Sequence, residues 1–292
     1  MSGMTTRALV LAGGGLTGIG WELGVMFGLG DAGVDIDGWN RIIGTSAGAV
    51  VGAALGQPGD LDALLDALAT MDGERLRRVV GGRDPSLVSA IDELWFGPRA
   101  ASDGPDEAAR VAIGRLAVMD DPELAGAYLA AIQGMLPTSR WPAALVVTAT
   151  DAQDGSTRTF DAGSGIPLGI AVAASCAVPG MFPPVRIGGR TYMDGGVRSA
   201  SNADLAAGHD LVVVVAPNRS DGQWAERLGS EARGLQADGT RVVEILLDDA
   251  SLATFGTDTM DRSTAGPAMV AGRALGLRAG IALAGQSTAE GA

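Results

Sequence analysis

Short apolar runs alternate with longer segments of helical period along most of this chain. Apolar runs at residues 8–12, 42–43, 144–150, 211–216 and 242–247 predict strands. The last two are expected to be buried on both faces of a parallel sheet, because such strands carry continuous apolar runs. This alternation predicts an α/β fold in which helices sandwich a mostly parallel sheet.

Two further strand signals follow the third apolar run. Residues 157–160 predict a short strand, and Gly188-Gly189 separates two short runs in residues 185–193, which is typical of a hairpin. Helices are predicted near residues 17–30, 47–55, 167–175, 223–236 and 265–284.

Residues 59–142 differ from the rest of the chain. They are helical in period, rich in charged residues and without a convincing strand signal. We therefore expect one domain over residues 1–292, with a helical cap inserted at about residues 59–142. The largest apolar cluster of this insertion is Leu94, Trp95 and Phe96. These side chains are expected either to pack on the core or to contact substrate from a lid.

The composition narrows the class of partner. The chain has 292 residues and a formal net charge of −13, and its basic residues are all Arg. An acidic balance disfavours nucleic acid as a partner and allows at most transient contact with an anionic membrane surface. With Cys176 as the single cysteine, no secretory signal and no continuous apolar run long enough to span a membrane, we expect a cytoplasmic protein. The sequence does not define an oligomeric state.

A candidate nucleophile lies between the second strand and its helix. Gly44-Thr45-Ser46-Ala47-Gly48 follows the apolar pair Ile42-Ile43 and matches the G-x-S-x-G nucleophile elbow. Glycines on either side of the serine would let strand and helix approach closely. The alternative is a tight turn without chemistry.

A glycine-rich loop follows the first strand. Residues 13–18 satisfy G-x-G-x-x-G, so a dinucleotide site with Asp35 or Asp37 as ribose ligand is one interpretation. The other is that backbone amides of this loop bind a developing oxyanion.

A serine nucleophile needs a base, and the sequence limits the choice. The one histidine, His209, precedes the strand at residues 211–216, so it is expected at the sheet edge opposite Ser46. This disfavours a Ser-His-Asp triad and favours a carboxylate. Asp194 follows the predicted hairpin and is followed by two glycines, although an ordinary turn would look the same. A carboxyl with a pKa of about 4 in water becomes a better base in a dry pocket, which the helical cap could provide.

Residues 13–18, 44–48, 174–184 and 194–196, in this order, resemble the patatin-like phospholipase family over roughly residues 7–216. The resemblance implies a three-layer α/β/α fold and a dyad of Ser46 as nucleophile and Asp194 as base. It also implies an oxyanion hole from Gly13, Gly14 and Gly15, and lipid acyl hydrolysis without metal or cofactor.

The chain departs from the family pattern at two places. Thr17 stands where the family often has Arg or Lys, and residues 197–203 replace the usual continuation toward Asn-x-Pro. Three further residues are substrate-binding candidates. Met181 and Phe182 would line an acyl pocket, or pack in the core. Arg198, with neighbouring arginines, would hold a phosphate head group, or form a salt bridge.

The leading function is a serine lipid acyl hydrolase, of phospholipase A or lysophospholipase type, acting on a lipid or acyl-ester substrate. A carboxylesterase or thioesterase acting on smaller acyl groups is the alternative. A nucleotide-binding protein that uses residues 13–18 belongs to a different class and stays open at this stage.

Overall fold

The computed structural model describes residues 5–71, 85–97, 104–118, 121–219, 225–256 and 258–289. Its centre is an eight-stranded sheet in which seven strands follow the order β5-β6-β3-β2-β1-β7-β8, while β4 pairs with β3. The strands are β1 Arg7–Leu11, β2 Arg41–Gly44, β3 Leu145–Asp151, β4 Thr157–Phe160, β5 Val185–Ile187, β6 Arg190–Asp194, β7 Leu211–Ala216 and β8 Arg241–Leu246.

Helices connect these strands and cover the sheet. They are α1 Gly15–Asp31, α2 Ala47–Ala53, α3 Asp60–Thr70, α4 Pro85–Phe96, α5 Glu107–Ala117, α6 Pro122–Met135, α7 Leu168–Ser175, α8 Ala225–Ala237, α9 Asp249–Phe255 and α10 Arg262–Ala289. Two short 3₁₀ helices, Gly195–Val197 and Ala203–Ala206, follow β6.

The parallel part of the sheet places the loops that follow β1 and β2 at the same edge. Strands β3, β2, β1, β7 and β8 run parallel, and the β5–β6 hairpin adds antiparallel to β3. Successive residues of β1 enter opposite cores: Leu9 packs in one cluster, and Ala8 and Val10 pack in the other. In such sheets the loops at the carboxyl ends of parallel strands form the binding crevice.

The C-terminal strand corrects one expectation. Residues 242–247 were expected to be buried on both faces, but β8 pairs with β7 at the edge of the sheet, and Glu244 is exposed. An edge strand with a charged side chain is protected against pairing with other chains. The sequence pattern also missed α9, which begins after Asp248 caps the amide of Ser251 at 2.8 Å.

Helices α3 to α6 lie between β2 and β3, and the described part of residues 59–142 contains no strand. Residues 72–84, 98–103 and 119–120 of the predicted cap lie outside the described residues. Trp95 packs in a small cluster with Met193 and Val197, beside the end of β6, whereas Phe96 is 41% exposed.

The long helix α10 packs along α1 at very short range. A Cβ atom on Gly24 would lie 2.1 Å from the carbonyl oxygen of Met269, and one on Gly276 would lie 2.3 Å from that of Val25. By length and composition alone, Arg262–Gly285 could cross a membrane, which differs from the expectation that no segment is long enough. Several glycines of this segment face α1, which occupies that side of the helix.

Candidate active site

The backbone at Ser46 is strained in the way a nucleophile elbow requires. Ser46 has φ 53° and ψ −116°, a left-handed conformation that residues other than glycine rarely adopt. A Cβ atom on Gly48 would lie 2.1 Å from the carbonyl oxygen of Leu11, and one on Gly44 would lie 2.8 Å from Cα of Ala49. Gly44 therefore lets β2 turn directly into α2, and Gly48 lets α2 approach β1.

Two side chains at the end of α7 hold the elbow in place. The amide of Ser46 donates to Oγ of Ser175 at 2.8 Å, and Sγ of Cys176 donates to the carbonyl oxygen of Ser46 at 3.3 Å. Burial and the nearby carboxylate of Asp194 raise the pKa of the Cys176 thiol, which keeps it a neutral donor. Sequence reasoning matched this segment to the family but missed its role as a support.

Asp194 ends β6 with its side chain 2% exposed. Its Oδ1 accepts from the amide of Gly196 at 2.6 Å, and its buried Oδ2 has no hydrogen-bond partner among the described residues. Burial raises the pKa of Asp194 to about 7, against the lowering effects of the Gly196 amide and the Ser46 hydroxyl. The carboxyl is thus tuned toward the proton affinity of a general base at neutral pH.

Asn202 joins the serine and aspartate loops. It has φ 53°, and its Nδ2 donates to Oγ1 of Thr45 at 3.1 Å and to the carbonyl oxygen of Gly195 at 3.3 Å. One amide therefore bridges the residue before Ser46 and the residue after Asp194. In the sequence, Asn202 stood only in a segment that departs from the family pattern, and no local signal marked this role.

The glycine loop faces the nucleophile, with one correction to the expected donors. A Cβ atom on Gly13 would lie 3.5 Å from Cβ of Ser46. The amide of Gly13, however, donates to the carbonyl oxygen of Ala200 at 2.8 Å, so it is not free for an oxyanion. The amides of Gly14 and Gly15, at the start of α1, have no partner among the described residues.

The same loop lacks the setting of a dinucleotide site. Asp35 pairs with Arg7, which begins β1, whereas the glycine loop follows the other end of that strand. A Cβ atom on Gly14 would also lie 2.4 Å from Cγ of Pro217, so that proline covers the loop. Neither predicted ribose ligand is brought to the glycines.

Ser46, Asp194 and the glycine loop line one cavity of about 650 Å³. Met181 and Phe182, both predicted to line an acyl pocket, are part of its wall. Other apolar wall residues come from the cap and α6; they include Met71, Trp95, Phe96, Ile132 and Met135. Among the described lining residues, Asp194 and Cys176 carry the titratable side chains.

Arg198 is not brought to this cavity, which corrects its predicted role in holding a phosphate. Its guanidinium donates to Asp204 at 2.5 Å and to Oδ1 of Asn202 at 2.8 Å. Arg190 is likewise paired, with Asp151 and Asp154. Arg198 instead orients the asparagine that bridges the serine and aspartate loops.

The remaining polar groups agree with a dyad. His209 precedes β7 at the opposite sheet edge from Ser46, and its Nδ1 contacts the carbonyl oxygen of Ala206 at 2.9 Å. No cluster of three or more His, Cys, Asp or Glu side chains suited to a metal ion occurs within the described ranges.

Two solved structures are similar to the chain. VipD from Legionella pneumophila has a TM-score of 0.38 and 12% identity, over 94% of this chain and 67% of its own. The type III effector protein ExoU has a TM-score of 0.43 and 18% identity, over 94% of this chain and 53% of its own. This chain therefore spans about half the length of ExoU. No curated protein sequence matches it.

The model of one protein family matches residues 9–207, which include the glycine loop, the elbow and the aspartate. The match begins within β1 and ends one residue after the 3₁₀ helix that follows Asn202, so it reaches every strand of the sheet except β7 and β8. The fold is accordingly the three-layer α/β/α arrangement of that family. With two thirds of its length matched, the chain belongs to the patatin-like phospholipase family, and this supports lipid acyl hydrolysis.

Proposed function

We propose that the protein is a serine lipid acyl hydrolase that cleaves fatty acyl esters with a Ser46–Asp194 dyad. The observation that carries the proposal is the strained Ser46 beside a buried Asp194 whose pKa is about 7. Both residues face a loop with two free amides inside one large, mainly apolar cavity.

The chemistry proceeds in two balanced halves. The Asp194 carboxylate accepts the Ser46 hydroxyl proton while Oγ attacks the ester carbonyl, and the amides of Gly14 and Gly15 stabilise the oxyanion. As the intermediate collapses, Asp194 returns the proton to the departing alcohol and an acyl-serine remains. Asp194 then accepts a proton from water as that water attacks the acyl-serine, and it returns this proton to Ser46 Oγ as the fatty acid leaves.

The wall of the cavity favours a long acyl chain over a small one. Trp95, Phe96, Met135, Met181 and Phe182 present apolar surface beside the dyad. Each buried CH₂ group contributes about 0.8 kcal/mol, so lengthening the acyl chain strengthens binding until the cavity is filled. A small acyl group, as in the substrate of an esterase or thioesterase, would leave most of this cavity unfilled.

Covalent labelling by a fluorophosphonate probe tests the nucleophile. We expect labelling of the wild type at Ser46, none in Ser46→Ala, and normal labelling in the control Ser263→Ala, whose residue is exposed. In a p-nitrophenyl ester series, kcat/KM should rise with chain length in the wild type and vanish in Ser46→Ala. Absent labelling, combined with thermal stabilisation by a nucleotide, would support the nucleotide-binding alternative instead.

A further inference from the structure

Residues beyond the family-matched segment reach the cavity that contains Ser46. Asn218 follows β7, and Thr259 and Met260 precede α10; all three line the cavity. The family model ends at residue 207, so these lining residues belong to the part of the chain that it does not describe.

Asn218 brings an unsatisfied amide to this wall. Its Oδ1 is buried without a hydrogen-bond partner, and no other described residue bonds to its side chain. A primary amide can donate two hydrogen bonds and accept two, and leaving it unpaired in an apolar site costs free energy. Because Oδ1 has no accessible surface, the Nδ2 group, which is not among the buried unpaired atoms, is the part of this amide that a ligand in the cavity can meet.

Thr259 supplies a second polar group on the same side. Its carbonyl oxygen accepts from the amide of Thr17 at 3.0 Å and from the Thr17 hydroxyl at 3.2 Å, which fixes the segment against the start of α1. Its own Oγ1 would lie 2.8 Å from a Cβ atom on Gly15, and it has no hydrogen-bond partner among the described residues. This hydroxyl therefore sits beside the oxyanion loop and is available to a ligand.

The cavity thus has two chemically different sides. The aromatic side chains and most of the methionines come from the cap or from the segment after α7, whereas Asn218 and Thr259, with Met260 beside them, come from the segments that follow β7 and precede α10. A fatty acyl chain has no polar atoms beyond its ester group and suits the apolar side. The alcohol part of the ester is then the part that can satisfy the amide and the hydroxyl.

The chemistry of these groups indicates what the alcohol carries. Phosphate recognition in proteins relies mainly on Arg and Lys, and no such side chain lines the cavity within the described part of the chain. A neutral amide and a neutral hydroxyl both donate and accept, as does an alcohol hydroxyl. The net charge of −13 also disfavours an anionic head group.

We propose that Asn218 and Thr259 form a subsite for free hydroxyl groups on the alcohol part of the ester. The preferred substrate is then a neutral ester of a polyhydric alcohol, such as a monoacylglycerol. This inference rests on the proposed hydrolysis at Ser46 and names the substrate class for that site.

Three esters of one fatty acid test the subsite: a monoacylglycerol, a propyl ester and a lysophospholipid. We expect the wild type to prefer the monoacylglycerol over the propyl ester. Asn218→Leu and Thr259→Val should each lower kcat/KM for the monoacylglycerol by about 3- to 10-fold, the worth of one neutral hydrogen bond, mainly through KM. Hydrolysis of the propyl ester should not change. The exposed position of Thr259 makes its variant the safer one for folding.

Met260→Leu is the matched control, because it alters the same wall without removing a polar group. Met260→Leu should leave the ratio of kcat/KM for the monoacylglycerol to that for the propyl ester unchanged. The subsite would be overturned if Asn218→Leu and Thr259→Val left the ratio of kcat/KM for the monoacylglycerol to that for the propyl ester unchanged. It would also be overturned if they affected the lysophospholipid more than the monoacylglycerol. Either result would leave the proposed hydrolysis intact. A wild type that cleaves none of the esters would overturn both proposals.

Discussion

At the scale of single residues, Asp194 combines two opposing demands. In the proposed dyad its carboxyl must be ionised to accept the Ser46 proton, yet it is buried with Oδ2 unpaired among the described residues. Burial raises its pKa to about 7, so a large fraction is ionised at neutral pH and each ionised carboxylate is a far stronger base than one in water. No histidine is needed to bring the base into this range.

The pH dependence of hydrolysis follows from that shift. Because only the ionised carboxylate accepts a proton, kcat/KM should rise about tenfold per pH unit below pH 7 and level off above it, with a midpoint at about 7. Asp194→Asn should lose activity by orders of magnitude at every pH. Titration of released fatty acid between pH 5 and 9 measures both. A midpoint near 4, or a flat profile, would contradict the assignment of Asp194 as base.

The oxyanion loop can be tested at Gly15. This residue has φ 65°, and an added Cβ atom would lie 2.8 Å from both oxygens of Thr259. Gly15→Ala should therefore displace the amide donors and lower kcat by roughly 100-fold, as the loss of one oxyanion donor does in other hydrolases. Gly134→Ala is the control, because Gly134 lines the same cavity with open space at its Cβ. Similar kinetics for the two variants would remove the loop from the mechanism.

At the scale of elements, the close contact of α1 with α10 extends the influence of the C-terminal region to the site. Helix α1 starts at Gly15, directly at the oxyanion loop, and Thr17 bonds to Thr259 just before α10. Thr17 stands where the family often has a basic residue. Here its hydroxyl contacts the hydroxyl of Thr264 and donates to the carbonyl oxygen of Thr259. The position serves to anchor α10 instead of adding charge.

The glycine interface between the two helices should be sensitive to one methyl group. A Cβ atom on Gly24 would lie 2.1 Å from the backbone oxygen of Met269, which cannot move away without shifting α10. Gly24→Ala should therefore destabilise the protein by about 1–3 kcal/mol, the usual cost of overpacking. Urea unfolding measures the change.

A matched variant on α10 separates packing from helix propensity. Gly266 has no neighbour within 4 Å of an added Cβ atom, so Gly266→Ala should stabilise the protein by up to about 1 kcal/mol. If Gly24→Ala had the same stabilising effect, the close packing of α1 on α10 would be wrong.

At the scale of the whole molecule, local patterns predicted the elements but not the contacts between distant segments. Short sequence patterns, each within a few residues, predict the positions of the strands along the chain, the elbow at Ser46 and the hairpin before Asp194. Asn218 and Thr259 have none, because they meet the loop at residues 13–15 only after about 200 intervening residues have folded. The pairing of the Gly13 amide with Ala200 was hidden for the same reason.

The partners of charged side chains and the position of a strand in the sheet also depend on contacts that local patterns do not predict. The sequence left Arg198 open to a phosphate or to a salt bridge, and only the tertiary structure shows that it pairs with Asp204. The edge position of β8 depends on where β7 adds to the sheet, which the alternation of strands and helices does not specify. Motifs therefore sufficed to predict the pairing of Ser46 with Asp194, which stays a prediction, whereas the walls and supports of the site required tertiary structure.

Two buried carboxyls should make the stability of the whole fold depend on pH. Glu22 is fully buried with both oxygens unpaired among the described residues, and burial raises its pKa well above the usual value, as it does for Asp194. A folded-state pKa above that of the unfolded chain gives stability that is fully present below about pH 4 and is lost as the pH rises through the folded value. Carboxyls with lowered pKa values, such as Asp31 and Asp154, act in the opposite sense, but below pH 4.

The window between pH 5 and 8 therefore reports on the described carboxyls whose pKa values are raised, which are Asp194, Glu22 and, in β8, Glu244. For Asp194, the rise in pKa from 3.8 to about 7 corresponds to a decrease of about 4 kcal/mol in the free energy of unfolding between low and high pH. The wild type should accordingly unfold at lower urea concentration at pH 8 than at pH 5. Asp194→Asn and Glu22→Gln should each reduce this difference, since neither amide can ionise, whereas Asp92→Asn, at an exposed position, should leave it unchanged. An equal pH dependence in all four proteins would mean that neither buried carboxyl resists ionisation, and Asp194 would then lack the basicity that the proposed mechanism requires.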